Sequence, residues 1–325
     1  MPEPLKILVF EYVTGGGMSG FPLEPAWLKE GLEMRNQAIR GFQDSGCDVI
    51  TLSDCRLDQP IETRWVDIAT QESLNKTLFE LSLQTDHAVI IAPETDNILD
   101  GFTACDKSKP DWNLGCHLEE ILLCSDKLEL SKHFHREGIR HPKTFGINDP
   151  NSQNGLSENG LVLKPRDGAG SLDTYFIAPG SPIPENVKTS QERFICQPQI
   201  PGQSMSLSVL ADGQGNFHPI GVCRHQTEFE EIFSGVKQLT ASEGRMEPDF
   251  PVDSLRNSWM ALKSLPKLRG WVGVDLIWNP ESQFDTVIEM NPRLTMGFCW
   301  ISSRIPVKET VSKWLEILSG NLNNG

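Results

Sequence analysis

The chain has 325 residues, 38% of them hydrophobic, with Lys+Arg 29 against Asp+Glu 44 and a formal net charge of −15. That length and apolar content sustain two or three packed subdomains. The acidic balance argues against general nucleic-acid binding and against adhesion to anionic membranes, both of which need a basic footprint, so any anionic ligand must be met by a few local cations and backbone N–H groups.

At the start, Met1–Lys6 leads directly into the apolar run Ile7–Phe10. No basic segment followed by a longer apolar stretch and a small-residue cleavage site precedes it, so no secretory leader is expected. KILVFEYVTGGG, residues 6–17, predicts a buried parallel-type strand running into a glycine turn. Helical signal follows over residues 25–45 and ends at Gly46. CDVITLSD is a second strand, residues 67–86 a helix and HAVIIAPE a third strand. This alternation predicts an open α/β domain over roughly residues 1–100, in which ligands sit at the carboxyl ends of strands. Gly15, Gly16, Gly17 and Glu94 fall at such ends.

Residues 117–138 predict one helix carrying Lys127, followed by Pro142 and a short strand around Lys143–Ile147. Pro150–Gly160 is polar and loop-like. LVLKPRDGAGSLDTYFI reads as strand, glycine loop, strand. RFICQPQIPGQSMSLSVLADGQG gives a strand, a proline-interrupted linker, a second strand and a turn. HPIGVCRHQTEF is another strand, residues 253–267 are helical, and GWVGVDLIWNP and DTVIEMNPRL are two strands joined near Pro280–Phe284. A last helix is expected over Val307–Leu318. The chain shows no internal repeat, and no run reaches the ~18 apolar residues of a membrane span. The eight cysteines form no CxxC pair, which disfavours a zinc site; without a secretory leader they are expected to be reduced thiols in a cytoplasmic protein.

Four features carry chemistry. Lys127 sits on a predicted helix, where a lysine is ordinarily a solvated face. Lys164 ends an apolar strand and is followed by Gly168, Ala169, Gly170 and Ser171. Glycines let a backbone approach phosphates and aim N–H groups at them, although a plain hairpin turn uses the same residues. Gln197, Pro198, Gln199 and Ile200 form a short extended linker that can offer backbone groups to an adenine edge or serve as a stiff connection. Finally, Asp275 lies on one late strand, and Glu289, Asn291 and Arg293 on or just past the next. On a strand, alternate residues share a face, so Glu289 and Asn291 point together. Hard oxygen ligands of this kind suit Mg²⁺, and a buried Asp/Glu–Arg network is the alternative. No Walker GxxxxGK[ST] and no GxSxG occur, which disfavours a P-loop ATPase and a serine hydrolase.

The order lysine, lysine with glycine loop, linker, Asp, then Glu-x-Asn-x-Arg resembles the ATP-grasp superfamily across residues 1–318. EYVTGGGM, APETDNIL and EMNPRLT narrow the resemblance to small carboxylate–amine ligases of the tyramine–glutamate ligase type of methanofuran biosynthesis and their bacterial relatives. The resemblance implies an N-terminal α/β pre-ATP-grasp domain (residues 1–115), a central lid subdomain (116–200) and a C-terminal antiparallel-sheet subdomain with the metal site (201–325). It implies ATP and Mg²⁺, with Mn²⁺ as a substitute. Lys127, Lys164 and residues 168–171 would contact phosphates, and residues 197–200 adenine, although Gln199 stands where the family often has an acid. Asp275, Glu289 and Asn291 would hold metal, and Arg293 the transferring phosphate or the substrate carboxylate.

Gly15–Gly17, Glu94 and Arg224 are substrate-side candidates. Glu94 could equally cap a helix beginning near Asp96, and Arg224 could equally be a surface arginine, with His225 structural. Lys237 is assigned to a flexible stretch that could cover substrate. The partners expected are small-molecule acids and amines, with a homodimer allowed by the resemblance. The leading function is an ATP-dependent acid–amine ligase. Another ATP-grasp phosphotransferase, a kinase or a carboxyphosphate-forming enzyme, is the alternative, as is a non-catalytic nucleotide-binding regulator.

Overall fold

The computed structural model describes residues 3–103, 111–149, 159–170 and 173–322. Most of the expected loop at Pro150–Gly160, and Ser171, lie outside the described residues. The N-terminal part is a parallel sheet of β1 (Lys6–Glu11), β2 (Asp48–Asp54), β3 (Arg64–Ile68) and β4 (His87–Ile91), in the order β3-β2-β1-β4. Ile7, Leu8, Val9 and Phe10 are all fully buried, as expected for a central strand covered on both faces. Helices α1 (Pro25–Asp44) and α2 (Gln71–Ser82) connect the strands. β3 was not anticipated. Its five residues RWVDI edge the sheet with only Ile68 buried, so they lack the continuous apolar run that marks β1 and β4.

After α3 (Ile98–Thr103), the predicted helix at 117–138 divides into α4 (Leu118–Ser125) and α5 (Lys127–Arg136). Asp126 makes the break. Its backbone is extended, and its Oδ1 accepts from the Leu128 and Glu129 amides at 3.1 Å, capping α5. Lys127 thereby becomes the first residue of a helix, and its side chain is buried.

The remaining strands form one antiparallel sheet. They are β5 (Phe145–Gly146), β6 (Leu161–Pro165), β7 (Tyr175–Ile177), β8 (Phe194–Pro198), β9 (Gln203–Asp212), β10 (Phe217–Phe233), β11 (Val236–Met246), β12 (Arg269–Asn279) and β13 (Phe284–Asn291). The order is β13-β12-β9-β10-β11-β7-β6-β8-β5. β11 corrects the assignment of Lys237. The segment SGVKQLTASEG is mostly strand, and exposed Lys237 faces Glu231 of β10 on one side and Phe176 of β7 on the other. β11 was hidden because it is polar on both faces, with buried residues only at its two ends. Through it β6 and β7 join β9, β10, β12 and β13 in a single ladder.

The helices of this half are α6 (Glu185–Thr189), α7 (Arg256–Lys263), α8 (Met296–Ser302) and α9 (Val307–Leu322). α8 was also unanticipated. α9 lies against α1, where Gly41 permits the approach: a Cβ there would stand 2.4 Å from Val307 Cγ1. Among the described residues no helix is long and apolar enough to cross a membrane.

The start of β13 is pinned by Asp285, which is fully buried. Its Oδ2 accepts from the Ser258 amide at 2.6 Å and the Ser258 hydroxyl at 2.8 Å, and its Oδ1 from the Asn257 amide at 3.0 Å, so it caps the first turn of α7. Replacing Asp285 by Ala strands these donors in the interior. Asp285→Ala is expected to lower unfolding stability by about 2–4 kcal/mol, read from urea denaturation, and an unchanged midpoint would remove Asp285 as the anchor of β13.

Candidate active site

Three segments far apart in the chain meet at Glu289 on β13. Lys164, from the end of β6, donates to Glu289 Oε2 at 3.1 Å, and Lys127 Nζ stands 3.6 Å from the same oxygen. Two links set this geometry. The Arg166 guanidinium, just past β6, donates to Asp126 Oδ1 at 2.7 Å and Oδ2 at 2.6 Å, and the Lys127 amide donates to the Arg166 carbonyl at 3.0 Å. The start of α5 is therefore fastened to the end of β6, and the two lysines emerge side by side.

Both ammonium groups are about nine-tenths buried. Burial pushes Lys164 below its usual value, while Glu289 pulls the other way. For Glu289 burial acts upward, but Lys127 and Lys164 outweigh it and hold the carboxyl well below the usual range. Lys127 Nζ also donates to the Gly168 carbonyl at 2.5 Å, which ties the glycine loop to the same point. Gly170 adopts φ +65, a left-handed conformation that favours glycine, and its ideal Cβ position lies 3.9 Å from Trp27 Nε1. Thr95 Oγ1 donates to the Asp167 carbonyl at 3.2 Å and the Asp96 amide to Asp167 Oδ2 at 2.9 Å. The lid loop thus rests on the N-terminal domain.

Asp275 of β12 is the direct cross-strand partner of Glu289. Asn291 Nδ2 donates to Asp275 Oδ2 at 2.9 Å, which leaves the Asn291 amide oxygen as the atom available to a cation. Burial first, then the adjacent Glu289 charge, push the Asp275 carboxyl above its ordinary value. Two adjacent carboxylates and an amide oxygen fit Mg²⁺ by donor chemistry. No group of three His, Cys, Asp or Glu suited to a metal occurs among the described residues, so a divalent ion here would also draw on Asn291 and on the ligand's own oxygens.

β13 ends at Asn291, and Arg293 leaves the strand direction after Pro292. Its guanidinium grips Glu94 with two parallel bonds, Nε to Oε1 and NH2 to Oε2, both 2.8 Å. Glu94 therefore does not cap the following helical turn: its side chain makes no capping bond there. The pair joins the N-terminal domain to the end of β13.

A cavity of about 260 Å³ opens beside these residues. Asp275, Glu289, Asn291 and Arg293 form one wall, the Ala169–Gly170 loop another, and α1, β11 and α8 the rest. Of the two readings of Arg224, its position matches the surface arginine: it is exposed, pairs with Glu247 at 3.1 Å and does not line this cavity. Successive strand residues face opposite sides, so His225 lines the cavity instead. Its Nε2 bonds Ser206 Oγ at 2.9 Å, and burial pushes it down to about 4, so the ring is neutral near pH 7.

Gly15, Gly16 and Gly17 are buried and do not line this cavity. They form a packing turn in which Gly16 has φ +97 and no room for a Cβ against Ile68. Within the Gln197–Ile200 linker, the Gln197 Nε2 donates to Thr144 Oγ1 at 2.9 Å and the Gln199 amide to the Gly160 carbonyl at 3.0 Å. Those two donors are already used. Trp27, Glu30, Met34, Trp300 and His225 line the cavity without having been singled out as ligand contacts in the sequence. The spacing of Trp27, Glu30 and Met34 on one helix face was the available signal.

The chain matches the ATP-grasp domain family over residues 124–297 and the pre ATP-grasp 3 domain over residues 47–121. It is 25% identical over 312 residues to a tyramine–L-glutamate ligase of Methanocaldococcus jannaschii, covering 94% of this chain and 88% of that protein. In fold it is similar to a crystal structure described as an ATP-grasp superfamily protein from Archaeoglobus fulgidus, with TM-score 0.69 and 22% identity over 95% of this chain and 88% of the other. It is likewise similar to D-alanine–D-alanine ligase from Bacillus anthracis complexed with ATP, with TM-score 0.62 and 14% identity over 97% of this chain and 95% of the other. With more than half of its residues inside the matched ATP-grasp domain, the chain belongs to the ATP-grasp family of ligases.

Proposed function

We propose that this protein is an ATP-dependent carboxylate–amine ligase that forms an amide through an acyl-phosphate, with glutamate and an amine of the tyramine type as its substrates. One observation carries the reading: Lys127, Lys164, Asp275, Glu289 and Asn291 come from distant segments and converge beside a single cavity. The curated relative named for the joining of tyramine and L-glutamate supports the choice of substrates.

The acid's carboxylate oxygen attacks the γ-phosphorus of ATP and ADP leaves. The amine gives up one proton to water from its ammonium form, and its nitrogen lone pair attacks the acyl carbon; the adduct loses a second proton from nitrogen to the departing phosphate as the bond from carbon to the phosphate oxygen breaks. Covalent catalysis by the protein is not required; the residues position and neutralise. In the free protein Glu289 neutralises the paired lysines. When the triphosphate arrives, Lys127 and Lys164 turn part of that charge to its oxygens. Mg²⁺, when bound by Asp275, Glu289 and the Asn291 amide oxygen, supplies charge neutralisation for the phosphates. Gly168–Gly170 approach the phosphates closely and exclude water from the acyl-phosphate. The linker at Gln197–Ile200 flanks the adenine through the backbone groups its own bonds leave over. Arg293, held in orientation by Glu94, faces the cavity where the acid's carboxylate approaches.

Incubation with ATP, glutamate and tyramine is expected to release ADP and phosphate together with an amide detected by mass spectrometry. Nucleotide turnover that yields no amide with any amino acid and amine pair would rule out the ligase reading. Glu289→Gln is expected to lower turnover by about a hundredfold or more, the scale of losing one preorganised electrostatic group, while ATP still binds; wild-type turnover would break the metal assignment. Lys164→Ala is expected to weaken ATP binding about tenfold or more by calorimetry, and an unaltered Kd would move the phosphates elsewhere.

A further inference from the structure

The cavity is acidic and aromatic. Five carboxylates stand at or around it: Glu11, Glu30, Glu94, Asp275 and Glu289. Four of them are committed. Glu11 accepts from the Thr14 amide and hydroxyl at 2.7 Å and from the Val13 amide at 3.1 Å. Glu94 holds Arg293, Glu289 holds the two lysines, and Asp275 accepts from Asn291.

Glu30 is different. Among the described residues nothing makes a hydrogen bond or an ion pair with its carboxylate, and it lines the cavity from α1. Burial pushes its carboxyl above the ordinary value; the Arg293 charge acts against that, Glu33 adds to it, and Lys29 opposes it more weakly, so the net direction stays upward. A half-buried carboxylate left in this state is a placed charge awaiting a cation.

Its neighbours define the cation's body. Trp27 lies one turn before Glu30 and Met34 one turn after, on the same face of α1. Gly31 between them presses on Glu11: a Cβ there would stand 2.6 Å from Glu11 Oε2. Trp300 of α8 lines the same cavity. It packs on Gly244 of β11, where a Cβ would collide with the indole, and meets the His225 ring edge-on with centroids 5.2 Å apart. Indole faces attract ammonium groups and enclose apolar bodies.

We propose that Glu30 receives the ammonium group of the amine substrate and that Trp27 and Trp300 enclose its body, so the cavity selects a primary amine with an apolar or aromatic body. This rests on the acid–amine ligase reading and adds to it the residues that choose the amine. The acid's carboxylate is drawn instead to the Arg293 guanidinium on the same cavity lining; glutamate carries an ammonium group as well, and hydroxamate formation separates its binding from that of the amine.

Hydroxylamine separates the two ideas, because it is uncharged at neutral pH and traps an acyl-phosphate as a hydroxamate without an ammonium subsite. Wild type and Glu30→Gln are assayed with ATP, glutamate and either hydroxylamine or one of tyramine, phenethylamine and butylamine. The expected result for Glu30→Gln is wild-type hydroxamate formation and an unchanged KM for ATP, with KM for tyramine raised about tenfold or more. Trp27→Leu is expected to lower the kcat/KM preference for tyramine over butylamine at least about fivefold. An unchanged tyramine KM in Glu30→Gln overturns the proposal. So does loss of hydroxamate formation in that variant, which would mean that Glu30 supports the acid half of the reaction or the fold. Wild type that forms hydroxamate but accepts none of the three amines overturns the amine class while the acyl-phosphate reading stands. Absence of hydroxamate in wild type with every amino acid defeats the ligase reading itself.

Discussion

Two buried ammonium groups share one carboxylate oxygen at Glu289, and the geometry around them follows from the cost of that arrangement. A lysine taken out of water demands a counter-charge within a few ångströms, and two adjacent lysines demand it more strongly. Glu289 meets the demand only because β13 is fixed at one end by Asp285 and, just past its other end, by the grip of Arg293 on Glu94. The lysines in turn can be adjacent only because Asp126 and Arg166 clip the start of α5 to the end of β6. Removing Glu94 leaves the buried Arg293 guanidinium without its counter-charge, and removing Asp285 leaves the amide and hydroxyl donors of Asn257 and Ser258 unmet. The same tension makes the site responsive: a polyanion that enters with its own cations relieves lysine–lysine repulsion and carboxylate–carboxylate repulsion together.

The antiparallel sheet explains how a site built from the lid and the C-terminal strands keeps one shape. β11 is the shared member, paired with β10 along most of its length and with β7 at its start. Its polar faces give it little hydrophobic burial of its own, so backbone pairing on both edges holds it in place. Residues 239–242 of this strand form the cavity wall facing α1. The lid loop, α1 and β11 therefore meet around the same space. Asp167 ties the glycine loop to the N-terminal part through its bonds with Thr95 and Asp96.

Much of this was legible in the sequence, for identifiable reasons. The parallel strands announce themselves as runs such as KILVF and HAVII, because burial on both faces leaves no polar alternation. Glu289 and Asn291 could be placed on one face because strand periodicity is strict. The break at Asp126 was not visible: the apolar pattern on either side continues in helical register, and only the extended backbone of a capping aspartate interrupts it. Glu94 offered two roles to a local reading and took a third, since its partner Arg293 is 199 residues away. Arg224 and His225 were exchanged for a simpler reason. Neighbouring strand residues point to opposite sides, and which side faces the cavity depends on β9 and β11, whose pairing the local sequence does not encode. Glu30 went unnoticed on a helix with many charged residues, because its isolation is a property of what surrounds it.

The cavity also weighs between the functions that share this fold. A carboxyphosphate-forming enzyme needs to admit only bicarbonate beside the phosphates, and a kinase needs only an acceptor group there. Neither calls for two indoles and a carboxylate with no hydrogen-bond partner among the described residues on the lining of the same cavity. A regulator that merely senses nucleotide needs a phosphate site but no cavity on the other side of Asp275 and Glu289. Here the carboxylates beside Lys127 and Lys164 also face about 260 Å³ of space lined by Trp27, Glu30 and Trp300. On the proposed function, that placement brings a second, cationic organic molecule to the activated acyl group. Among the candidate reactions, acid–amine ligation is the one that uses both sides of the same wall.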